Sequence, residues 1–358
     1  MTTFSGSYVN QLKEALTASL LSRQNALLIG APGYGKTAIA RSLAQQITGD
    51  LFSFVRVDPS TPVEAVKGAY DPAEFLNGRL TRVIAGTPYE PGCRLVIVDE
   101  IGRGNEMLFD ALLDTLDRVD TPYAPPVWGT TNFMPQKDRT AALIDRFAMW
   151  IWVQPDGVDI AGIVAAQLSA AGPRLDMAGV PAWDEIQAVR QMVPGADAIR
   201  AVSEKLRDLV DAAAAEGRSA HPRRLTQWAN IVYRVSAWKH GAADFRAIPD
   251  EAVRPLRYAW PALTPEESAS WANIAGSVID AVGAAIESAL AQVLVKMREI
   301  AAVGPAQRPA LIMNVAQLMQ STQTTLTQLA GSDDDRVKEA IGNMNSWLAM
   351  ATRGEEVK

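Results

Sequence analysis

The chain has 358 residues, of which 48% are hydrophobic and 21% are charged, and its formal net charge is −6 at pH 7. This length fits two or three domains, and the composition is typical of globular proteins. No apolar run approaches the ~20 residues that a membrane span needs, and the N-terminus lacks the pattern of a secretory signal, so we expect a cytoplasmic protein. The negative charge gives no electrostatic reason to expect a nucleic acid as the main partner.

Side chains that bind soft metals are scarce. Cys93 is the only cysteine, which excludes an internal disulfide framework and any cysteine cluster that binds a metal. His221 and His240 are the only histidines, which excludes a histidine-rich metal site.

A glycine-rich stretch follows a predicted helix at residues 8–23 and a short buried strand at residues 25–29. It fits the pattern G-x-x-x-x-G-K-[ST] at every fixed position; its residues are Gly30, Ala31, Pro32, Gly33, Tyr34, Gly35, Lys36 and Thr37. A helix is predicted next, at residues 37–48. Such a loop turns backbone N–H groups and a helix N-terminus toward a polyphosphate. We therefore expect a polyphosphate here, with Lys36 on the β- and γ-phosphates and Thr37 on Mg²⁺; the alternative is a chance glycine-rich turn.

A second strand is predicted at residues 51–57, and a long segment without a simple period follows at residues 60–91. This segment is too long for an ordinary connection in a compact domain. We expect it to form a small element of its own or to have a function.

The next strand, residues 94–100, ends in two acidic residues. Its apolar run predicts a central parallel strand that is buried on both faces. The carboxyl end of the strand brings Asp99 and Glu100 to the edge at which open α/β sheets bind ligands. We expect Asp99 to support Mg²⁺ through water and Glu100 to polarise the water that attacks the γ-phosphate; the alternative is an acidic strand end at the surface.

Two polar residues follow later strands of the predicted sheet. After a helix at residues 106–120, a fourth strand ends at Asn132, which could orient the attacking water, although an asparagine in this place is often a turn former. Arg146 precedes a fifth strand at residues 149–153. It is either a surface residue or, in a ring of subunits, an arginine that reaches the neighbour's γ-phosphate.

Beyond Pro155 the predicted strands stop, and four helices follow, at residues 160–171, 183–192, 198–215 and 222–238. His221-Pro222-Arg223-Arg224 begins the last of them, with proline in the first turn. Arg223 or Arg224 could fold onto the nucleotide or could simply face water.

From residue 265 onward, apolar residues recur every three or four positions. This spacing predicts three amphipathic helices, either packed together or serving as an arm that docks a partner. We therefore expect three parts: an α/β nucleotide-binding domain at residues 1–155, an all-α lid at residues 156–262 and a helical extension at residues 263–358.

These motifs, taken together, resemble those of the AAA+ ATPases and of their MoxR branch, the clade with an insertion in helix 2. The resemblance covers about residues 8–260 and rests on residues 30–37, residues 95–103 with the helix after them, residues 143–147 and His221-Pro222-Arg223. It implies an α/β P-loop NTPase fold with a five-stranded parallel sheet and a helical lid. It also implies nucleotide at subunit interfaces and a homo-oligomeric, hexameric ring.

The resemblance also implies a role for each matching residue. Lys36 and Thr37 correspond to Walker A, Asp99 and Glu100 to Walker B, and Asn132 to the first sensor. Arg146 corresponds to the arginine finger that acts on the neighbouring subunit, and Arg223 to the second sensor. Arg103 and Arg139 are further interface candidates.

The leading hypothesis is an ATP-hydrolysing ring that remodels, matures or activates a protein client, with Mg²⁺ as cofactor. The family often works with a von Willebrand factor A (vWA) protein, and this sequence lacks an Asp-x-Ser-x-Ser motif, so we expect that adaptor to be a separate polypeptide. One alternative is an assembly platform that ATP gates and that hydrolyses slowly. A DNA-remodelling ring is a further alternative, which the acidic balance disfavours.

Overall fold

The structure is a computed structural model that describes residues 3–4, 7–84, 86–117, 124–132, 145–153, 174–175, 177–279, separate positions between 286 and 300, and residues 308–330 and 335–353. The chain divides into two compact units, residues 1–275 and residues 276–358. Among the described helices, none combines the length and the hydrophobicity that crossing a bilayer requires.

A five-stranded sheet in which all neighbouring strands are parallel forms the centre of the first unit, which confirms the predicted α/β fold class. The strands are β2 (Ala26–Ile29), β3 (Phe52–Arg56), β6 (Leu95–Asp99), β7 (Val127–Thr131) and β8 (Met149–Trp152). Their order in the sheet is β3-β6-β7-β2-β8. Strands β2, β6 and β7 are buried along their whole length, as expected where both faces of a parallel sheet are covered.

Three helices cover this sheet: α1 (Ser7–Ser22), α2 (Lys36–Thr48) and α5 (Glu106–Asp117). The apolar side of α5 packs with alternate residues of the strands, among them Val96 and Val98 of β6. Because successive side chains of a strand point to opposite faces, Leu95 and Ile97 lie on the other face of the sheet. The sheet is thus a buried layer. Loops leave it on two sides, where the strands begin and where they end, and we call these two sides its edges.

The long segment at residues 60–91 forms small elements of its own, as we expected. They are helix α3 (Glu64–Lys67), strand β4 (Ala69–Tyr70), helix α4 (Pro72–Leu76) and strand β5 (Arg82–Val83). Strands β4 and β5 pair in antiparallel fashion. The segment therefore carries a short hairpin that is separate from the central sheet.

The helical part of the first unit begins after the sheet. It contains α6 (Trp183–Gln191), α7 (Ala196–Ala215), α8 (Pro222–His240), α9 (Asp250–Val253) and α10 (Pro265–Ile279). A 3₁₀ helix spans Arg254–Tyr258. The side chains of Trp228, Trp260 and Trp271 stack together, with ring centroids 4.7 to 6.1 Å apart. This aromatic cluster joins α8 to the start of α10.

One expectation about this part was wrong. Strands do not stop at Pro155, because β9 (Arg174–Leu175) pairs in parallel with β1 (Thr3–Phe4) near the N-terminus. A strand of two residues is too short to show a periodic pattern of apolar residues, so the local sequence does not indicate this pairing. The helix predicted at residues 160–171 lies outside the described residues.

The second unit is built from helices. The longest described ones are α11 (Arg308–Ala330) and α12 (Asp335–Arg353). Their buried residues, including Val315 and Val337, pack with Val293, Met297 and Ile300 in one apolar cluster. The apolar residues that recur at helical spacing in this part of the sequence therefore form the core of the second unit.

Candidate functional site

The glycine-rich loop lies where the sequence predicts it, between the end of β2 and the start of α2. Gly33 and Gly35 adopt φ angles of +89° and +74°, which residues other than glycine rarely adopt. Helix α2 begins at Lys36, so its unpaired N–H groups and positive end are at the loop. This arrangement suits an anionic ligand such as a polyphosphate.

Lys36 is folded back into the loop. Its side chain is almost completely buried, and Nζ donates hydrogen bonds to the carbonyl oxygens of Gly30 at 2.7 Å and Ala31 at 2.8 Å and to Oδ1 of Asn132 at 3.0 Å. Burial lowers the pKa of Lys36, and the charges of Asp99 and Glu100 oppose that effect. A phosphate could therefore take the place of two neutral carbonyl partners and stabilise the ammonium group.

Thr37 and Asp99 form the oxygen-rich part of the site. Thr37 Oγ1 donates to Oδ1 of Asp99 at 2.5 Å, and Thr130 Oγ1 donates to the same carboxylate oxygen at 2.7 Å. Among the described residues, no three His, Cys, Asp or Glu side chains are grouped so as to hold a metal. A hydroxyl and one carboxylate nevertheless fit Mg²⁺, which keeps several waters and binds substrate phosphates beside one or two protein carboxylates.

Glu100 occupies a strained position directly after β6. Its φ angle is +57°, in the left-handed region, and such strain tends to persist at functional sites. Its backbone N–H donates to Thr130 Oγ1 at 3.1 Å. Its carboxylate accepts from Asn132 Nδ2 at 3.4 Å and lies 2.6 Å from Nε of Arg103. Asn132 therefore links Glu100 to Lys36.

Arg146 and Arg223 lie elsewhere, at the edge where the strands begin. Asn25, just before β2, donates to the carbonyl oxygen of Arg146 at 3.1 Å. Arg146 and Arg223 both pair with Asp117, at 3.0 and 3.2 Å. Asn25 and Gly30 stand at opposite ends of β2, so this edge is about 16 Å from the glycine-rich loop at ~3.3 Å per residue.

The same edge holds Arg224, which is buried and lies 3.6 Å from Asp145. Arg224 also donates to the carbonyl oxygens of Phe147 and Ala148, just before β8. Because α8 begins over the starts of the strands, the structure does not place Arg223 or Arg224 over the glycine-rich loop of the same chain. Arg139 lies outside the described residues.

Two residues with a role in the geometry were missed from the sequence. Thr130 orients both Asp99 and Glu100, and its signal was a pair of threonines at the end of a buried strand. Asp117 joins Arg146 to Arg223, but it is the last residue of an ordinary amphipathic helix and has no local signal.

Comparisons with known proteins agree with this architecture. Residues 2–189, just over half of the chain, match the family described as the MoxR domain in the MoxR-vWA-beta-propeller ternary systems. At 16% identity and a TM-score of 0.50, the chain shares its fold with the crystal structure of a candidate ATPase from Cytophaga hutchinsonii, over 76% of this chain and 94% of that one.

Two curated relatives match a shorter part. The negative regulator of genetic competence ClpC/MecB of Bacillus subtilis is 32% identical over 98 residues, 25% of this chain and 12% of the relative. The ATP-dependent protease ATP-binding subunit-like protein AmiB of Pseudomonas aeruginosa is 33% identical over 104 residues, 26% of this chain and 27% of the relative. The chain therefore spans only a small part of each relative's length. Together with the glycine-rich loop and the acidic strand end, the family match shows that this chain belongs to the MoxR family of AAA+ ATPases, as a MoxR domain of the kind found in MoxR-vWA-beta-propeller ternary systems.

Proposed function

We propose that this protein hydrolyses ATP with Mg²⁺ in a ring of identical subunits and uses the cycle to remodel, mature or activate a partner protein. One observation carries the proposal. A continuous chain of hydrogen bonds joins Lys36, Asn132, Glu100, Thr130, Asp99 and Thr37 at the edge where the strands end. The groups that would bind the phosphates, hold the cation and activate water are thus connected.

The binding half of this network positions the substrate. Lys36 would leave the carbonyl oxygens of Gly30 and Ala31 and donate to the β- and γ-phosphates. Thr37 and Asp99 would hold Mg²⁺, which, when bound, neutralises part of the phosphate charge. Thr130 keeps the Asp99 carboxylate in place for that purpose.

The other half would activate water. Glu100 would accept a proton from the attacking water, and Asn132 would orient that water through its amide. Arg103 lies against the Glu100 carboxylate, so a shift of Arg103 would free an oxygen of Glu100 for this task.

Arg146 and Arg223 would complete the site of a neighbouring subunit. They stand at the opposite edge of the sheet from their own glycine-rich loop, which supports action across an interface for both. In the single chain they share Asp117, so we propose that assembly exchanges this carboxylate for the neighbour's γ-phosphate. Arginines in this role contribute about 10³ to 10⁵ in rate in the enzymes where they have been tested.

Replacing the proposed base tests the catalytic part. We expect Glu100→Gln to abolish phosphate release and to leave ATP binding intact, because the amide keeps the shape but cannot accept the proton. Phosphate release and equilibrium binding of ATP are measured on the same preparations. Glu216→Gln, at an exposed glutamate after α7, is the matched control. Hydrolysis by Glu100→Gln at the rate of the unmodified protein would contradict the proposal.

The partner is proposed from the family. The matched family is described for systems with a vWA and a beta-propeller component, so we propose a vWA protein as the adaptor that connects the ring to its client. Glu100→Gln, held with ATP, should retain this adaptor, and Lys36→Ala should not. If the ATP-bound Glu100→Gln protein supports the full cellular function, the ring is a platform that ATP gates and hydrolysis is incidental.

A further inference from the structure

A second polar cavity lies at the edge where the strands begin, away from the glycine-rich loop. Its volume is about 400 Å³, which is within the usual range of small-molecule sites. It lies between the end of α1, the helix α6 and the helix α8, and we call it the arginine cavity. Five arginines line it: Arg23, Arg146, Arg190, Arg223 and Arg234.

The three inner arginines are Arg23, Arg190 and Arg234. Nη2 of Arg23 donates to the carbonyl oxygen of Ala124 at 2.8 Å, and Arg190 and Arg234 also donate to backbone carbonyl oxygens. Arg190 donates through Nε and Nη2 to the carbonyl oxygen of Leu20. Arg234 donates through Nη1 to the carbonyl oxygens of Val189 and Met192. These carbonyls belong to the C-terminal ends of α1 and α6, whose dipoles favour cations. They fix the guanidinium groups of Arg190 and Arg234 in place, yet carbonyl oxygens do not neutralise these two positive charges.

The backbone at Arg23 gives an independent indication. Helix α1 ends in a Schellman motif, in which Gln24 N donates to Ser19 O at 3.0 Å and Arg23 N donates to Leu20 O at 3.3 Å. The residue in the left-handed position of this motif is usually glycine. Arg23 occupies it with a φ angle of +55°. An arginine in this position is disfavoured by the backbone conformation, which indicates that its side chain has a function.

The charged side chains that line the arginine cavity in the described part of the chain are all positive. Burial, with Arg23 and Arg234 nearby, lowers the pKa of Arg190 to about 9, so this guanidinium remains charged at neutral pH. Burial and Arg234 also lower the pKa of Arg23. Within the described part of the chain, no aspartate or glutamate lines the cavity. Asp117 pairs with Arg146 and Arg223 at its rim.

Gln227 also faces the cavity. It is 8% exposed, and its Oε1 has no hydrogen-bond partner among the described residues. A buried polar atom of this kind calls for a partner. An occupant that brings both negative charge and a hydroxyl or ordered water would satisfy the arginines and this amide together.

We propose that the arginine cavity is a binding site for a phosphate-rich small anion, separate from the site at the glycine-rich loop. Guanidinium groups recognise phosphate through paired N–H donors. A single carboxylate would bring one negative charge to the three inner arginines, whereas a polyphosphate brings several. The site uses residues of one chain only, so it does not depend on the neighbour's nucleotide.

Inorganic tripolyphosphate is a suitable probe, titrated calorimetrically without Mg²⁺ into the full chain carrying Lys36→Ala, which disables the glycine-rich loop. We expect about one tripolyphosphate per chain. Arg23→Gly in that background should weaken binding about ten- to a hundredfold, the range expected for losing a hydrogen bond to a charged group. Because glycine suits the backbone at this position, the fold should survive, and thermal unfolding checks that. Arg200→Gln, at an exposed arginine of α7, should change nothing.

Three outcomes would overturn the proposal. One is the absence of tripolyphosphate binding to the Lys36→Ala protein, and another is unchanged binding after Arg23→Gly. The last is stronger binding of tricarballylate, a tricarboxylate, which would assign the cavity to carboxylates. The proposed ATPase activity depends on Lys36 and Glu100 and is measured separately, so either proposal can fail alone.

Discussion

At the scale of single residues, the hydroxyl of Thr130 holds the acidic end of β6 together. It donates to Asp99 at 2.7 Å and accepts from the backbone N–H of Glu100 at 3.1 Å. Thr130 is 1% exposed, so water cannot replace either bond. One buried side chain therefore sets the geometry of both the proposed cation ligand and the proposed base.

Replacing Thr130 with valine removes these bonds and keeps the shape. We expect Thr130→Val to lower the free energy of unfolding by about 1–3 kcal/mol, because a buried donor loses its partner. We also expect hydrolysis to need more Mg²⁺, since Asp99 loses one of the groups that orient it. Urea unfolding and the dependence of hydrolysis on Mg²⁺ concentration measure the two effects.

Thr130→Ser is the control, because it keeps the hydroxyl. It should restore the Mg²⁺ dependence of the unmodified protein. If Thr130→Val is less stable but hydrolyses ATP with the Mg²⁺ dependence of the unmodified protein, then the role of Thr130 is purely structural.

Residues that act through distant partners were the hardest to predict. Lys36, Thr37, Asp99 and Glu100 stand in short motifs whose spacing itself implies the chemistry, and the structure brings them together. Arg23, Arg190 and Arg234 come from three elements far apart in the sequence. Nothing near any of them indicates that they share a cavity, because only the packing of α1, α6 and α8 joins them.

At the scale of elements, the ends of β2 and β8 are packed closely beside the glycine-rich loop. Gly30 N donates to Thr131 O at 3.2 Å, and Val153 N donates to Ile29 O at 2.7 Å. A Cβ atom added at Gly30 would lie 2.5 Å from the carbonyl oxygen of Val153. Gly30 is therefore required for the approach of two strands as well as for the loop.

A methyl group at Gly30 should separate these strand ends. We expect Gly30→Ala to cost about 1–3 kcal/mol of stability, as overpacking usually does, and to weaken ATP binding because the loop moves with β2. Denaturant unfolding and nucleotide titration test both effects.

Gly92→Ala is the matched control for strain. Gly92 has a φ angle of +88° but nothing within 4 Å of its added Cβ, so we expect a cost of about 1–2 kcal/mol from the backbone alone and normal ATP binding. Equal ATP affinities of Gly30→Ala and the unmodified protein would show that the loop is independent of this packing.

The existence of the strands could be predicted, but their order could not. Residues 95–98 form an apolar run, and each of them is completely buried, as the run indicates. Strand order depends on crossovers that no local pattern encodes; the resemblance to the family implied five parallel strands, and the structure supplies their order. The pairing of β1 with β9 escaped prediction for another reason, because each strand is only two residues long and shows no periodic pattern.

At the scale of the whole molecule, the proposed site is divided between two edges of one sheet. Lys36 and Glu100 stand where strands end, whereas Arg146 and Arg223 stand where strands begin, about 16 Å away. Identical subunits packed head to tail would bring one edge against the other, and such contacts form a ring when the rotation from one subunit to the next closes. In this proposal, the single chain carries two halves of the site that do not meet within it.

Mixing two inactive variants tests this division. Lys36→Ala lacks the binding half, and Arg146→Ala lacks the arginine half. In a ring co-expressed from both at equal levels, about one interface in four places an intact Lys36 against an intact Arg146 from its neighbour, if the subunits mix at random. We expect hydrolysis of up to about a quarter of that of the unmodified ring, measured as phosphate release from the purified mixture.

The control mixture combines Lys36→Ala with Glu100→Gln. Both changes lie in the same half of the site, so no interface in this mixture is complete and hydrolysis should stay absent. Recovery in the first mixture alone can arise only if Arg146 acts on the neighbouring subunit. If neither mixture recovers although both variants enter the same rings, Arg146 does not complete a neighbour's site, and its bond to Asp117 is a structural one.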